Sequence, residues 1–243
     1  LSGHSKWATT KRQKARVDAA RGKVFSKIAR ELIIAAREGG PNPDGNFRLK
    51  MVIDKAKAAN MPGENIQRAI QRGSGAGEAD HFEEVVYEGY GPAGVAVMLE
   101  VMTDNRNRTA AEIRHIFDRN GGSLGATGCV AWMFKRRGQI LVNLEDVKLS
   151  EDDLMMLSLD AGGEDFQKEE DQYVIYTVPE QLEKVRSNLV KRGIKTAEAE
   201  LTYVPTTNTE LSGDKADQAM RLLDLLEEHD DVQQVHANLE VKG

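Results

Sequence analysis

Gly73-Ser-Gly-Ala-Gly-Glu-Ala-Asp80 decides the architecture, because it contains no large apolar anchor and the hydrophobic period changes across it. Before it, apolar residues recur at helical spacing. After it they alternate, with Val85 and Tyr87 on one strand and Val95, Val97, Leu99 and Val101 on the next. The stretch reads as a flexible linker between a helical domain and an α+β body.

On the N-terminal side, a basic arm over 1–14 leads into a helix expected over 15–38, which Gly39, Gly40 and Pro41 stop. Asn46 is placed to cap a second helix carrying Leu49, Val52, Ile53 and Ala56. Pro62 suits the opening of a third, which carries Ile66, Ala69 and Ile70 and ends at Gly73. These spacings predict a three-helix domain over residues 1–75.

On the other side, Thr103 or Asp104 can cap a helix whose Ala110, Ile113, Ile116 and Phe117 face inward, and a strand bearing Val130, Trp132 and Phe134 is expected beyond Gly121 and Gly122. From Gly138 the pattern reads strand (140–144), helix (150–161), short strand, strand (173–178), helix (179–192), strand (197–204). That βαββαβ order is ferredoxin-like. A leucine-rich helix over 214–229 and a strand over 232–239 are left without a partner, while the middle part lacks a second helix and a closing strand. Joining them gives an α+β multidomain chain: an N-terminal three-helix domain followed by two ferredoxin-like α+β domains. One of these, 137–205, is inserted in the other, 80–136 plus 206–243.

The 243 residues carry 33 Lys and Arg against 39 Asp and Glu, unevenly placed. Residues 1–75 hold 16 basic and 6 acidic residues, a net of +10, and the remainder holds 17 and 33, a net of −16. A basic segment on an acidic body fits polyanion binding or the docking of one domain on another, and charge alone leaves both open. On the first helix, Arg16, Lys23, Lys27, Arg30 and Arg37 fall within an arc of roughly 80°, away from Val17, Val24, Ile28 and Leu32. No run of about 20 apolar residues could span a bilayer. The single cysteine, Cys129, cannot form an intramolecular disulfide, so a reducing, cytoplasmic setting is expected.

Enzyme readings fare poorly. The five histidines never occur at the short spacings of zinc sites, and no metal or other cofactor is expected. Neither Tyr90–Gly94 nor Asn120–Gly128 opens a helix, so both glycine-rich stretches read as turns or contact loops rather than phosphate cradles. An enzyme would need a substrate site built from Arg106, Arg108 and His115, and a pure interaction module would use the acidic helix over 214–229. Thr103-Asp-Asn-Arg-Asn-Arg108 either binds phosphate or caps its helix.

The arm combines the Trp7 indole with short polar donors and dense positive charge, the groups that hold a base face and a phosphate backbone. Gly3-His-Ser-Lys-Trp7, Arg21-Gly-Lys, Ala35-Ala-Arg-Glu-Gly-Gly-Pro41, Lys55-Ala-Lys-Ala-Ala-Asn-Met-Pro62, Tyr87-Glu-Gly-Tyr-Gly-Pro92, Thr103-Asp-Asn-Arg-Asn-Arg-Thr109 and Asn120-Gly-Gly together resemble the YebC family, in order and over essentially the whole chain. The resemblance implies a three-domain cytosolic regulator of transcription that binds DNA. It also implies an alternative, since mitochondrial members activate translation of a respiratory-chain subunit and bacterial members are implicated at the ribosome on proline-rich sequences. Leu1 and Ser2 stand where members begin Met-Ala, Thr9 and Thr10 where many have Asn and Ile, and Arg12 where a histidine is common. The expected nucleic-acid-binding residues are His4, Lys6, Trp7, Lys11, Arg12, Lys14, Arg16, Arg21, Lys23, Lys27, Arg30, Arg37, Arg106 and Arg108. The expected partner is DNA or ribosomal RNA, with the ribosome as a further candidate, bound by a monomer.

Overall fold

The computed structural model describes residues 21–75, 82–169 and 171–242. The basic arm, the first helix before Arg21 and linker residues 76–80 lie outside the described residues. Contacts divide the chain into two compact units, one formed by residues 135–204 and the other by residues 3–134 with 205–243.

Three helices open the larger unit: α1 (Arg21–Gly39), α2 (Phe47–Ala58) and α3 (Gly63–Ser74). Their apolar faces meet in a core of Ile28, Leu32, Ile33, Leu49, Val52, Ile66 and Ile70, burial that stabilises by about 25 cal/mol for each Å² of apolar surface removed from water. Asn46 ties two helix ends together. Its Oδ1 accepts from the Leu49 N–H at 3.0 Å, while its amide donates to the carbonyls of Ala35 at 2.7 Å and Gly40 at 2.8 Å.

Gly73 does not end α3 but lies inside it, against α1. A Cβ there would sit 2.2 Å from the Ile33 carbonyl oxygen, so only glycine permits this approach of the two helices. Gly73→Ala should force them apart and cost about 1–3 kcal/mol of stability, read as a lowered urea midpoint for the full chain. An unchanged midpoint would contradict the packing.

The body of this unit is a two-layer α+β arrangement. β1 (Glu83–Tyr90) and β2 (Ala96–Thr103) pair antiparallel from Glu83 opposite Thr103 to Tyr90 opposite Ala96. α4 (Arg106–Arg119) and β3 (Ser123–Leu124) follow, and the sheet is closed from the C-terminus by α7 (Gly213–Glu228) and β9 (Val232–Ala237). The strand order is β3-β1-β2-β9. Val97, Leu99 and Val101 pack beneath Ile113 and Phe117 of α4 and Leu222, Leu223 and Leu226 of α7. A separate parallel ribbon joins β8 (Thr209–Leu211) to β10 (Leu239–Val241).

Two local expectations are corrected. The N-cap of α4 is Asn105, whose Oδ1 accepts from the Arg108 N–H at 3.1 Å; Thr103 is instead fully buried and bonded to Thr109. The strand expected around Val130, Trp132 and Phe134 is a single 3-10 turn over Ala131–Met133, with Trp132 exposed rather than lining the core. The reason is Glu88, whose buried carboxylate takes the Gly128, Val130 and Ala131 N–H groups and removes them from any sheet ladder.

The smaller unit contains β4 (Phe134–Asn143), α5 (Glu151–Asp160), β5 (Asp165–Lys168), β6 (Gln172–Thr177), α6 (Leu182–Lys191) and β7 (Glu198–Pro205). The sheet order β5-β6-β4-β7 is the ferredoxin-like order read from one edge, and β4 pairs antiparallel with β6 from Gly138 opposite Thr177 to Asn143 opposite Gln172. Ser150 caps α5 by accepting from the Asp153 N–H at 3.2 Å.

Candidate nucleic-acid interface and the Asp231 junction

Lys23, Lys27 and Arg30 follow one another at four- and three-residue steps on α1, so they share one edge of the helix. That edge meets the C-terminal end of α7. Lys23 Nζ donates to the Glu228 carbonyl at 3.2 Å, Lys27 Nζ to the Glu227 carbonyl at 2.7 Å, and Arg30 to the Asp230 carbonyl. The last carbonyls of a helix have no intrahelical donor and carry the negative end of its dipole, so cations are stabilising there. Lys23 also lies 3.7 Å from the Asp230 carboxylate, an exposed pair that contributes little by itself.

Asp231 organises the junction. Its side chain is 5% exposed; Oδ1 meets Arg30 at 3.0 Å, and Oδ2 meets Arg108 at 2.8 Å and the Thr109 hydroxyl at 2.7 Å. Thr109 has a single proton to give, and the carboxylate is its strongest acceptor, so Thr103 donates to Thr109 across 2.7 Å. Burial pushes the Asp231 carboxyl up, but bonds from Thr109 and Arg108 and the charges of Arg30 and Arg108 outweigh it, holding it below the ordinary range. The backbone joins in as well, with the Met102 N–H donating to the Asp231 carbonyl at 2.9 Å.

His229 is fixed beside it. Its Nδ1 accepts from the Asp231 N–H at 3.1 Å, which puts the proton of the neutral ring on Nε2, where it donates to Glu112 at 2.9 Å. Glu112, His229 and Asp231 bring potential ligand atoms within 4.8 Å of one another. This set is a poor home for a metal, because two guanidinium groups already neutralise Asp231 and both histidine nitrogens are engaged.

An open cleft of about 730 Å³ runs along the junction. Lys23, Arg30 and Arg108 line it together with five carboxylates, those of Asp104, Glu112, Glu228, Asp230 and Asp231. Opposed charges within the cleft, with carboxylates in the majority, make it an unfavourable seat for a phosphate chain.

The other residues expected to contact nucleic acid are distributed as follows. His4, Lys6, Trp7, Lys11, Arg12, Lys14 and Arg16 lie outside the described residues, as does the side chain of Arg21. Arg37 donates to the Phe82 carbonyl at 2.6 Å, Arg106 lies 3.5 Å from Glu83, and Arg108 bonds Asp104 as well as Asp231. Thus Thr103–Thr109 caps α4 and holds Asp231. Lys50 and Lys57 on α2 and Arg68 on α3, which are not among those expected contacts, are exposed. The signal was present, since Lys50 and Lys57 are seven residues apart and share a helix face.

Cys129 is unsuited to nucleophilic work: burial and then the Glu88 charge push its thiol up, keeping it protonated at neutral pH.

The fold and the junction together define a basic three-helix head held by cations against an acidic α+β body. The chain belongs to the TACO1/YebC family: residues 5–76 match the model of the TACO1/YebC protein N-terminal domain and residues 82–239 that of the TACO1/YebC second and third domain. It is 58% identical over 242 residues, the full length of both chains, to a probable transcriptional regulatory protein of Pelotomaculum thermopropionicum. It is 55% identical to one from Desulfitobacterium hafniense over 99% of this chain and 96% of that one. The crystal structure of a conserved hypothetical protein from Aquifex aeolicus superposes with a TM-score of 0.88 at 50% identity, covering 94% of each chain. No helix among the described residues is long and apolar enough to cross a membrane.

Proposed function

We propose that this chain is a non-enzymatic regulator of gene expression that works by binding nucleic acid in a reducing cytoplasm, with the basic head as its primary anchor. The observation that carries the reading is the charge of that head. Its described residues 21–75 hold 11 Lys and Arg against 5 Asp and Glu on a chain that is otherwise strongly acidic. Lys23, Lys27 and Arg30 serve the junction, so the phosphate contacts fall to the arm (Lys6, Lys11, Arg12, Lys14 and Arg16) and to Lys50, Lys57 and Arg68. The names of the relatives, probable transcriptional regulatory proteins, support a regulatory role.

Counterion release gives the test its form. Each phosphate contact contributes about −0.9 to the slope of log affinity against log salt on duplex DNA. Lys50→Glu, Lys57→Glu and Arg68→Glu combined should weaken binding to all sequences alike and flatten that slope by roughly 2 to 3 units. An unchanged slope with an unchanged circular-dichroism spectrum would remove these helices from the interface.

A second reading, a ribosome-associated translation factor bound to ribosomal RNA, is favoured by one feature, the exposed Trp132, because folded RNA offers unpaired bases that a duplex does not.

A further inference from the structure

Trp132 stands 73% exposed on a loop that the fold holds in place. The anchor is Glu88, a β1 side chain in a residue only 3% exposed. It accepts the N–H groups of Gly128 at 2.6 Å, Val130 at 2.8 Å and Ala131 at 2.7 Å, and its backbone carbonyl accepts Gly125 N–H at 2.8 Å. The three bonds to the carboxylate are charge-assisted and strong, and with the backbone bond from Gly125 they fix the chain that leads into Trp132.

The rings are fixed as well. The Cys129 carbonyl accepts both the Trp132 indole N–H at 3.0 Å and the Tyr90 hydroxyl at 2.9 Å. The indole N–H and the phenol O–H are therefore satisfied within the protein, which leaves the apolar remainder of the exposed Trp132 ring to a ligand. Tyr90 is itself 37% exposed.

The surroundings narrow the ligand. Gly125, Ala126, Thr127 and Gly128 are all exposed and small, so this loop adds no large apolar side chain beside the indole of the kind that anchors a protein partner. Residues 119–134 contain no Asp or Glu in a chain that has 39, so nothing in this stretch repels a polyanion. An exposed, pre-positioned aromatic face among small side chains, in a stretch without a carboxylate of its own, matches the way single-stranded nucleic acid is held, by stacking of bases that is indifferent to sequence.

We infer that Trp132, tied with Tyr90 to the Cys129 carbonyl, is a stacking platform for an unpaired nucleobase. The inference rests on the nucleic-acid reading above and deepens it. The head holds phosphates, and this loop of the body takes a base that is not paired in a duplex.

The probes are a short oligouridylate, the matching oligothymidylate, a blunt DNA duplex of the same length and an oligoproline peptide, each titrated into the full chain. Trp7 and Trp132 are the two tryptophans, so a Trp7→Phe background makes Trp132 the sole indole reporter. Stacking should quench its fluorescence with a single strand, and whether RNA or DNA does so more strongly identifies the source of the base. Trp132→Ala should weaken single-strand binding about tenfold, Trp132→Phe should restore most of it, and duplex affinity should not change. The side chain is exposed, so the circular-dichroism spectrum of both variants should match that of the parent. Unquenched fluorescence, or single-strand affinity unchanged in Trp132→Ala, overturns the platform. Quenching by oligoproline alone overturns it in favour of a protein ligand. Binding of duplex alone overturns it while leaving the nucleic-acid reading standing, and absence of all binding at low salt overturns both.

Discussion

A chain ending at Val204 is expected to lose the folded middle body while keeping the inserted unit. The segment removed carries α7 and β9, which contribute Leu222, Leu223, Leu226, Val232 and Val235 to the core, together with Leu239, all 4% exposed or less. At about 1.5–3 kcal/mol for each buried side chain, the loss is comparable to or larger than the roughly 5–15 kcal/mol stability of an ordinary domain. β2 would lose its pairing with β9, exposing a new edge whose partners run from Val97 opposite Ala237 to Val101 opposite Val232. Hydrogen exchange followed by peptide should show residues 83–124 unprotected in the truncated chain and residues 135–204 still protected. Protection of both would mean that the C-terminal segment is not part of that core.

Asp231→Ala should produce the next largest loss, about 2–4 kcal/mol, because it leaves Arg30 and Arg108 facing one another without their shared carboxylate and leaves the Thr109 hydroxyl only the weaker, neutral acceptor of the Asn105 carbonyl at 3.1 Å. The same group sets an acid limit. Its carboxyl is depressed in the folded protein, so its stabilisation is fully present above the unfolded value near 3.9 and is lost as pH falls through the lower folded value. The wild type should therefore lose more stability than Asp231→Ala between pH 5 and pH 2, in approximate terms, and the two urea-midpoint curves should converge at the acid end. Parallel curves would show that Asp231 has no special role there.

The parts of the fold that were legible in the sequence are those fixed by near neighbours. Asn46, Pro62, Ser150 and the alternation of Val95, Val97, Leu99 and Val101 act within a few residues, and the elements they define stand where expected. The assignment of α7 and β9 to the middle sheet was also legible, because an orphan amphipathic helix and strand must find a partner. The 3-10 turn at Ala131–Met133 was not, since the carboxylate that creates it lies some forty residues earlier, at Glu88. Asp231 was invisible for the same reason. It stands 123 residues from Arg108, and in an acidic chain one aspartate looks like any other until the fold brings two guanidinium groups to it.

Charge patterning was informative but ambiguous. The basic edge of α1 was legible as an edge, and domain docking was one of the two roles its charge allowed. The structure brings Lys23, Lys27 and Arg30 to the end of α7, whose free carbonyls no linear pattern reveals.

Phosphate binding by the head is tested most directly by the salt dependence of binding by the unmodified full chain. Fluorescence anisotropy with a DNA duplex and a single-stranded RNA should show binding at low salt, with log affinity falling linearly in log salt and a slope equivalent to several phosphate contacts. No binding to either at low salt, or an affinity indifferent to salt, would contradict it.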